Sequence, residues 1–163
     1  MIKEIEIQIA SDKDTGLLLS LIRELADVEG LSDKLTATED DLRESLFGPG
    51  SVSEVMFVYL KGEVVAYFIF CPKIDTYSGK NEIYLDHLYV RPAYRRKGIG
   101  GAIMAHIGRA ALERGATLIE LFAVESNHDA LKFYASLGGK RKDFIKVIRF
   151  EGKTLKKLAK EYA

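Results

Sequence analysis

A basic, glycine-rich stretch carries residue types that suit the binding of a diphosphate. In LDHLYVRPAYRRKGIGGAIMAHI (85–107), a strand pattern leads through Arg95, Arg96 and Lys97 into a helical pattern, with glycines at 98, 100 and 101. A helix N-terminus offers unpaired backbone N–H groups and a partial charge of about +0.5, which attract phosphate. Glycines admit the ligand to the backbone, and the basic side chains add full charges. The stretch predicts a diphosphate-binding turn; the alternative is a glycine turn that only begins a helix.

Two other glycine-loop sites fit the spacing less well. The phosphate-binding loop of nucleotide hydrolases ends in Gly-Lys-Ser/Thr, which this stretch does not contain. A dinucleotide-binding fingerprint needs a third glycine at position 103, where Ile103 stands. The spacing therefore argues against both sites.

Two separated motifs resemble those of one known family. RRKGIG (95–100) is similar to the acetyl-coenzyme A motif Arg/Gln-x-x-Gly-x-Gly/Ala of the GNAT N-acetyltransferases, and VESNHDALKFYASLGG (124–139) resembles their closing motif. The resemblance implies acetyl-coenzyme A as co-substrate and direct transfer of the acetyl group to an amine. It also implies the GNAT fold, a central mixed, mostly antiparallel twisted sheet of six to seven strands flanked by four to five helices.

The resemblance also implies roles for individual residues. Backbone amides from Arg96 to Gly101 are expected to hold the diphosphate, and the strand before the turn is expected to pair with the pantetheine arm. Tyr134 is expected to protonate the departing thiolate, although it could equally be a core aromatic, and Asn127 could serve as a helix N-cap as well. The predicted cofactor-binding residues are Leu88, Tyr89, Val90, Arg95, Arg96, Lys97, Gly98, Ile99, Gly100, Gly101, Asn127 and Tyr134.

Removal of a proton from the attacking amine calls for a base or a water relay. An alkylammonium group titrates near pH 10, and Asp86 and His87 are the candidates closest in sequence to the turn. Neighbouring residues of a strand point to opposite faces, so only one of them is expected to face the site. We predict Asp86 as the catalytic residue and His87 as structural.

Two further segments point to a branch of the family. LIRELADVEGLSDKLTATEDDLRESLFG (21–48) and IDTYSGKNEIYLDHLYV (74–90) resemble the spermidine/spermine and thialysine acetyltransferases. The resemblance implies that a cationic amine is held by carboxylates and an aromatic ring, which gain Coulomb and cation–π stabilisation. The predicted substrate-binding residues are Glu29, Asp75, Tyr77 and Asp86.

The acceptor itself is left open by departures from that branch. Val28 and Tyr77 stand where the branch has other aromatics, and His87 stands where a second acid is common. Shorter diamines, thialysine-like amino acids and lysine-like amines all fit. The alternative functions are acetylation of a protein N-terminus or lysine, and a non-catalytic acyl-coenzyme A sensor. The resemblance further implies a homodimer whose active sites borrow residues from both subunits.

Composition bounds the partners and the compartment. Twenty-four basic and 24 acidic residues balance, so neither nucleic acid nor a membrane surface is an expected partner. The N-terminal MIKEIEIQIA alternates charged and apolar residues, unlike a leader peptide, which predicts a cytoplasmic protein. The single Cys71 and the scattered histidines lack metal-ligand or nucleophile spacing, so we expect neither a metal nor an acyl-cysteine.

Hydrophobic periodicity places these motifs on secondary structure. The pattern predicts the order β-α-α-β-β-β-α-β-α-β-α in a single domain, 1–163, of the mixed α/β class. Three consecutive strands without intervening helices argue against a doubly wound parallel sheet. After the first strand and two helices, the predicted strands are 55–60, 64–71, 83–90, 118–124 and 146–150, and the later helices are 98–114, 128–136 and the C-terminal tail.

Overall fold

A five-stranded mixed sheet forms the centre of the protein in the computed structural model, which describes residues 5–161. Strands β1 to β5 lie side by side in chain order, antiparallel except for the parallel pair β4–β5. The strands are β1 (Ile5–Ile9), β2 (Glu54–Leu60), β3 (Glu63–Asp75), β4 (Lys80–Val90) and β5 (Ala116–Leu121). The mixed α/β class and the mostly antiparallel sheet are confirmed.

Five α-helices accompany the sheet within the described residues. They are α1 (Thr15–Glu29), α2 (Glu39–Phe47), α3 (Ile99–Glu113), α4 (His128–Ser136) and α5 (Gly152–Glu161). Helix α1 ends at Gly30, which adopts the left-handed conformation at φ 69°. The backbone N–H groups at this cap donate to the carbonyls of Ala26 and Asp27. Thr38 caps the N-terminus of α2, because the Asp41 N–H donates to Thr38 Oγ1 at 3.2 Å.

The chain divides into two compact units, residues 1–131 and 132–163. The first contains the sheet and α1 to α3, and the second contains the end of α4 and all of α5. Within the second unit, Gly138 adopts φ 88° and the Gly139 N–H donates to the Tyr134 carbonyl at 3.0 Å, which closes the C-terminus of α4. The predicted single domain also includes residues 1–4 and 162–163, which lie outside the described residues.

The sheet buries side chains on both faces, because alternate residues of each strand point to opposite sides. On one face, β3 contributes Phe68 and Phe70, which cluster with Ile99, Ile103 and Ile107 of α3. The other face is covered by α1, whose leucines pack on β3 residues of the opposite parity. That second cluster includes Leu18, Leu21, Ile22, Leu25, Val55, Phe57, Tyr67, Ile69 and Tyr89.

The predicted strand count of six to seven is wrong, because the described residues form five strands. Residues 146–150 (KVIRF) carry a strand-like sequence, but they are exposed and form no strand. A β-strand requires a neighbour to pair its backbone N–H and C=O groups. The residue pattern favours an extended backbone there but does not supply that neighbour.

None of the helices within residues 5–161 is long and apolar enough to cross a membrane.

Candidate active site

The predicted diphosphate-binding turn has the backbone geometry that such a ligand requires. Gly98 caps α3 in the left-handed conformation at φ 83°, and the first helical hydrogen bond runs from the Ala102 N–H to the Gly98 carbonyl at 3.0 Å. The N–H groups of Ile99, Gly100 and Gly101 precede that bond, so the helix gives them no acceptor. A Cβ added at Gly101 would meet no atom within 4 Å, so the helix entrance is open. These groups fit a diphosphate, which remains a prediction.

The three basic residues before the helix have different positions. Arg95 is half-buried: its Nε donates to the Val90 carbonyl at 2.9 Å, and its guanidinium lies 5.8 Å from the centroid of the Tyr89 ring. Arg96, in contrast, is exposed and adopts φ 62°, and Lys97 is exposed as well. Arg95 thus holds the turn against β4, and the other two side chains are available to a ligand.

The edge of β4 next to this turn is open. Strand β5 pairs with β4 only as far as Leu85, opposite Leu121, while β4 continues to Val90. Over residues 86–90, no strand among those that the structure describes lies on that side of β4. An extended amide chain can hydrogen-bond to such an edge, as a pantetheine arm would. The predicted contact residues Leu88, Tyr89 and Val90 lie on this stretch.

A β-bulge in β4 changes the expected arrangement of Asp86 and His87. Ile69 pairs with His87 whereas Phe70 pairs with Leu85, so Asp86 is the extra residue of the bulge. Strict alternation therefore fails here, and the expectation that only one of the two residues faces the site stays a prediction. The Tyr67 hydroxyl lies 2.9 Å from His87 Nδ1, and the charge of Asp86 acts on the same phenol.

Tyr67 interacts with His87 and with the charges of Glu29 and Asp86, and the sequence pattern did not single it out. The side chain is fully buried, and burial raises the pKa of Tyr67 well above its ordinary value, with further increases from the charges of Glu29 and Asp86. The sequence shows Tyr67 only as an aromatic residue in an apolar strand. A tyrosine at a core position that needs a hydrogen-bond partner is the one signal that could have identified it.

Glu29 and Asp86 are carboxylates without a partner in the described part of the chain. Glu29 is the half-buried last residue of α1, and Asp86 is exposed on β4. Neither forms a hydrogen bond or an ion pair with any residue from 5 to 161. The charges of these two predicted substrate-binding residues both raise the pKa of Tyr67.

Other carboxylates nearby are paired. Glu24, five residues before Glu29 on α1, accepts hydrogen bonds from the Tyr89 hydroxyl at 3.0 Å and from Arg91 Nη2 at 2.8 Å. The hydrogen bond from Arg91 is the main cause that lowers the pKa of Glu24 below its ordinary value. Sequence reasoning missed this network, which joins α1 to the residue that follows β4.

A second paired group lies farther along β3 and β4. Lys73 Nζ lies 2.8 Å from Oε1 of the buried Glu82, its cross-strand neighbour, and 2.5 Å from Glu120 Oε2. The hydrogen bonds with Glu120 and then Glu82 raise the pKa of Lys73. Glu82 and Glu120 are therefore both paired with Lys73.

Asp75 and Tyr77, the other two predicted substrate-binding residues, lie at the tip of the β3–β4 hairpin. Asp75 Oδ1 accepts from the Tyr77 N–H at 3.0 Å, and the Tyr77 side chain is fully exposed. Asp75 pairs with Lys80, and the stretch of β4 from Lys80 to Asp86 spans about 20 Å at a rise of about 3.3 Å per residue. The first unit therefore does not bring all four residues together.

The closing motif has the predicted local structure. Asn127 Oδ1 accepts from the Ala130 N–H at 3.2 Å, so Asn127 is the N-cap of α4, and its contact with the coenzyme remains a prediction. Tyr134 lies in the second unit, half-buried, with its ring 5.2 Å from that of Phe133. Its role as an acid also remains a prediction. No group of three or more His, Cys, Asp or Glu side chains among the described residues is arranged to hold a metal ion.

Comparison with known proteins identifies the family. Residues 19–138 match the profile of the Acetyltransferase (GNAT) family. The chain belongs to the GNAT family. Enzymes of this family use acetyl-coenzyme A as a co-substrate, and this GNAT chain is an N-acetyltransferase.

Individual relatives support this identification. The GNAT chain is 34% identical over 166 residues to thialysine N-epsilon-acetyltransferase from Bos taurus, across 94% of this chain and 96% of the relative. It is 25% identical to L-ornithine N5-acetyltransferase from Arabidopsis thaliana, across 75% of this chain and 50% of that protein. The resemblance to the thialysine and diamine branch is thus confirmed.

Solved structures confirm the GNAT fold. An integron cassette protein from V. cholerae superposes with a TM-score of 0.79 at 26% identity, covering 97% of this chain and 99% of that one. A ribosomal-protein-alanine N-acetyltransferase from Brucella melitensis gives a TM-score of 0.74 at 23% identity, covering 90% and 99%. At that identity the second similarity shows the fold alone.

Proposed function

We propose that this enzyme transfers the acetyl group of acetyl-coenzyme A directly to the primary amine of a small cationic metabolite, a diamine or polyamine or a thialysine-like amino acid. One observation carries the proposal: Glu29 and Asp86 have no ion-pair partner among the described residues, and both charges act on the buried phenol of Tyr67, on the strand that pairs with β4. A small cation placed there would meet two carboxylates next to the thioester. The similarity to thialysine N-epsilon-acetyltransferase supports the same acceptor class.

The position of Glu29 supports a role in binding a cation. Glu29 ends a 15-residue helix whose last turn also contains Asp27 and no basic residue. The C-terminus of a helix carries a partial negative charge, so a carboxylate there is unfavourable by about 0.3–1 kcal/mol. A bound ammonium group would relieve this repulsion, which favours cationic over neutral acceptors.

The remaining residues have separate tasks in this proposal. The N–H groups of Ile99, Gly100 and Gly101 would hold the diphosphate, and the β4 edge would align the pantetheine arm. Glu29 and Asp86 would hold the acceptor ammonium. Bound acetyl-coenzyme A supplies the reactive thioester, and the amine attacks it without an acyl-enzyme intermediate. Tyr134 is proposed to protonate the thiolate that leaves.

Turnover of acetyl-coenzyme A with a panel of acceptors tests this function. The panel contains spermidine, spermine, putrescine, thialysine, ornithine, lysine and short peptides, with release of free coenzyme A as the readout. We expect turnover with a small amine, a strong reduction in Tyr134→Phe, and near-normal activity in Tyr59→Phe, which removes a tyrosine hydroxyl from the face covered by α1. Turnover with peptides alone would favour a protein substrate, and binding without turnover would favour a sensor.

We also propose that the enzyme is a homodimer and that Asp75 and Tyr77 serve the acceptor site of the second copy. The gap of about 20 Å along β4 and the full exposure of Tyr77 at the hairpin tip support this arrangement. The two residues would then add a carboxylate and an aromatic face to a site that already contains Glu29 and Asp86.

Mixed dimers test the sharing of sites. Asp75→Asn and Asp86→Asn homodimers are each expected to have low activity. If sites are shared, one site of each mixed dimer is intact, and random mixing restores about a quarter of the wild-type activity. Activity that stays at the level of the two parents after subunit exchange would show that each site is built from one chain.

A further inference from the structure

The hydrogen bond between Tyr67 and His87 has no part in the function proposed above. Tyr67 on β3 is fully buried, and its hydroxyl lies 2.9 Å from Nδ1 of the half-buried His87 on β4. Buried tyrosine hydroxyls need a hydrogen-bond partner, and here the partner is a titratable ring. The contact fixes which nitrogen of His87 faces the core.

The second ring nitrogen of His87 is accessible. His87 Nε2 makes no hydrogen bond with any residue from 5 to 161, and it is not fully buried. The ring therefore has one nitrogen held by Tyr67 and one open nitrogen, and Tyr67 is also the phenol on which the charges of Glu29 and Asp86 act. This is the geometry of a base that is oriented from behind.

We infer that His87, held by Tyr67, takes the proton from the acceptor ammonium; the inference rests on the proposed function. It assigns to His87 the role that sequence reasoning gave to Asp86. A neutral imidazole is a stronger base than a carboxylate, so the ring is the better acceptor for the ammonium proton. Asp86 keeps the task of holding the positive charge.

The proton movements balance. An N–H bond of the ammonium group breaks as an Nε2–H bond forms, which leaves a neutral amine and an imidazolium whose Nδ1–H donates to the Tyr67 oxygen. The amine lone pair then forms the C–N bond to the thioester carbonyl carbon while the C–S bond breaks. Tyr134 gives its proton to the departing thiolate and is reprotonated by the second amine proton, and the imidazolium returns its proton to solvent.

Tyr67 is a positioning residue in this scheme. Its raised pKa keeps it a neutral phenol. The scheme requires the tautomer in which the Tyr67 oxygen accepts from the Nδ1–H, because only that tautomer leaves the Nε2 lone pair free. Four groups act on Tyr67 through their charge: Glu24 and Glu29 on α1, and Asp86 and Tyr89 on β4. Two guanidinium groups lie beside this set, because Arg91 donates to Glu24 and Arg95 lies 5.8 Å from the centroid of the Tyr89 ring.

The pH dependence of kcat/KM separates the two candidate bases. The acidic limb of the profile reports a group that must lose its proton, and an imidazole titrates between about pH 5 and 8. We expect His87→Gln to lower kcat by about 100-fold or more and to remove this limb. Asp86→Asn should raise KM for the amine and keep the limb. The reverse pattern, with the limb kept in His87→Gln and lost in Asp86→Asn, would overturn the inference.

Variants of tyrosine test the positioning role. Tyr67→Phe removes one hydrogen bond, so we expect kcat to fall by about 3- to 10-fold with KM for acetyl-coenzyme A unchanged. The matched control is Tyr59→Phe, which removes a hydroxyl from the same core face and should leave kcat unchanged. An unchanged kcat in Tyr67→Phe would overturn the positioning role.

A readout independent of activity is the tautomer of His87. Nitrogen-15 NMR of the wild-type ring should show a proton on Nδ1 and none on Nε2, and Tyr67→Phe should shift this balance. A proton fixed on Nε2 would overturn the inference. A wild-type enzyme that acetylates no amine would overturn the proposed function as well, whereas active enzyme with an unchanged His87→Gln profile would overturn this inference alone.

Discussion

The two halves of the candidate site are built in different ways. The donor side is a contiguous turn, Arg95 to Gly101, in which backbone N–H groups and basic side chains offer positive charge. The acceptor side is assembled from α1, β3 and β4, and its charges are the carboxylates of Glu29 and Asp86. The donor side is thus a property of local sequence, and the acceptor side is a property of the packing between distant segments.

Because of this difference, the two halves should be sensitive to different kinds of substitution. A substitution that changes the backbone conformation of the turn should weaken coenzyme binding on the donor side, because the N–H groups there belong to the main chain. Loss of a single charge should harm the acceptor side, because its groups are side chains without internal partners. Variants on one side should leave the affinity of the other side unchanged.

The largest expected effect is on the acceptor side. Asp86→Asn removes one of two carboxylates that would contact the ammonium, so we expect kcat/KM for the amine to fall by about 100-fold. Calorimetry should show unchanged affinity for acetyl-coenzyme A. A comparable loss of acetyl-coenzyme A affinity would contradict the separation of the two halves.

The next effect is on the donor side. Gly98→Ala places a Cβ at φ 83°, a conformation that costs an L-residue about 1–2 kcal/mol, so we expect affinity for acetyl-coenzyme A to fall by about 10-fold. Gly62→Ala is the matched control, because Gly62 has φ 82° in the β2–β3 turn. Both variants should lose stability. If both also lost affinity equally, strain and not the diphosphate-binding turn would explain the result.

A smaller effect is expected at the end of α1. Glu29→Gln should raise KM for the amine by about 5-fold while stabilising the fold by about 0.3–1 kcal/mol, because it removes a negative charge from a helix C-terminus. Glu113→Gln is the control, since Glu113 also ends a 15-residue helix. It should share the gain in stability, measured by urea unfolding, without the change in KM. Equal KM effects would remove Glu29 from the acceptor site.

The smallest effect concerns Glu24, the paired carboxylate on the same helix as Glu29. Glu24 and Arg91 are each about one-third exposed, so solvent weakens their ion pair. We expect Glu24→Gln to cost about 1 kcal/mol and to lower Tm by about 2–4 °C. Activity should change little.

The stability that Glu24→Gln loses should become smaller at low pH. Arg91 lowers the folded-state pKa of Glu24 below its ordinary value of 4.5. The stabilisation is therefore complete above the unfolded-state pKa and is lost as pH falls through the folded-state pKa. Urea unfolding should show the wild-type and Glu24→Gln curves converging below about pH 4.5. A gap that did not narrow at all as pH fell below about 4.5 would mean that the ion pair is not the cause.

Sequence patterns predicted most of the elements but not all of their pairing. The two helices after the first strand and the strand-turn-helix around Gly98 depend on local features, and the structure contains each of them. The strand expected over 146–150 is absent, because pairing depends on a neighbour that the segment does not specify.

The contacts around the proposed acceptor site were predicted only in part for a related reason. Glu29 and Asp86 were named by resemblance, but the contacts of Tyr67 and Glu24 were not predicted, since their partners lie 20 and 67 residues away in the chain. The β-bulge at Asp86 also escaped prediction. A strand pattern specifies which residues alternate, and it does not show where one extra residue interrupts the register.

The sequence by itself determined the family, the mixed α/β class and the donor-side turn, because these depend on residue types at short, fixed spacings. The tertiary structure alone decided which carboxylates are paired and which remain available, and which nitrogen of His87 is held by Tyr67. Such pairings depend on distances of a few ångströms between segments that are remote in the chain, and those distances exist only after the sheet and α1 have packed together.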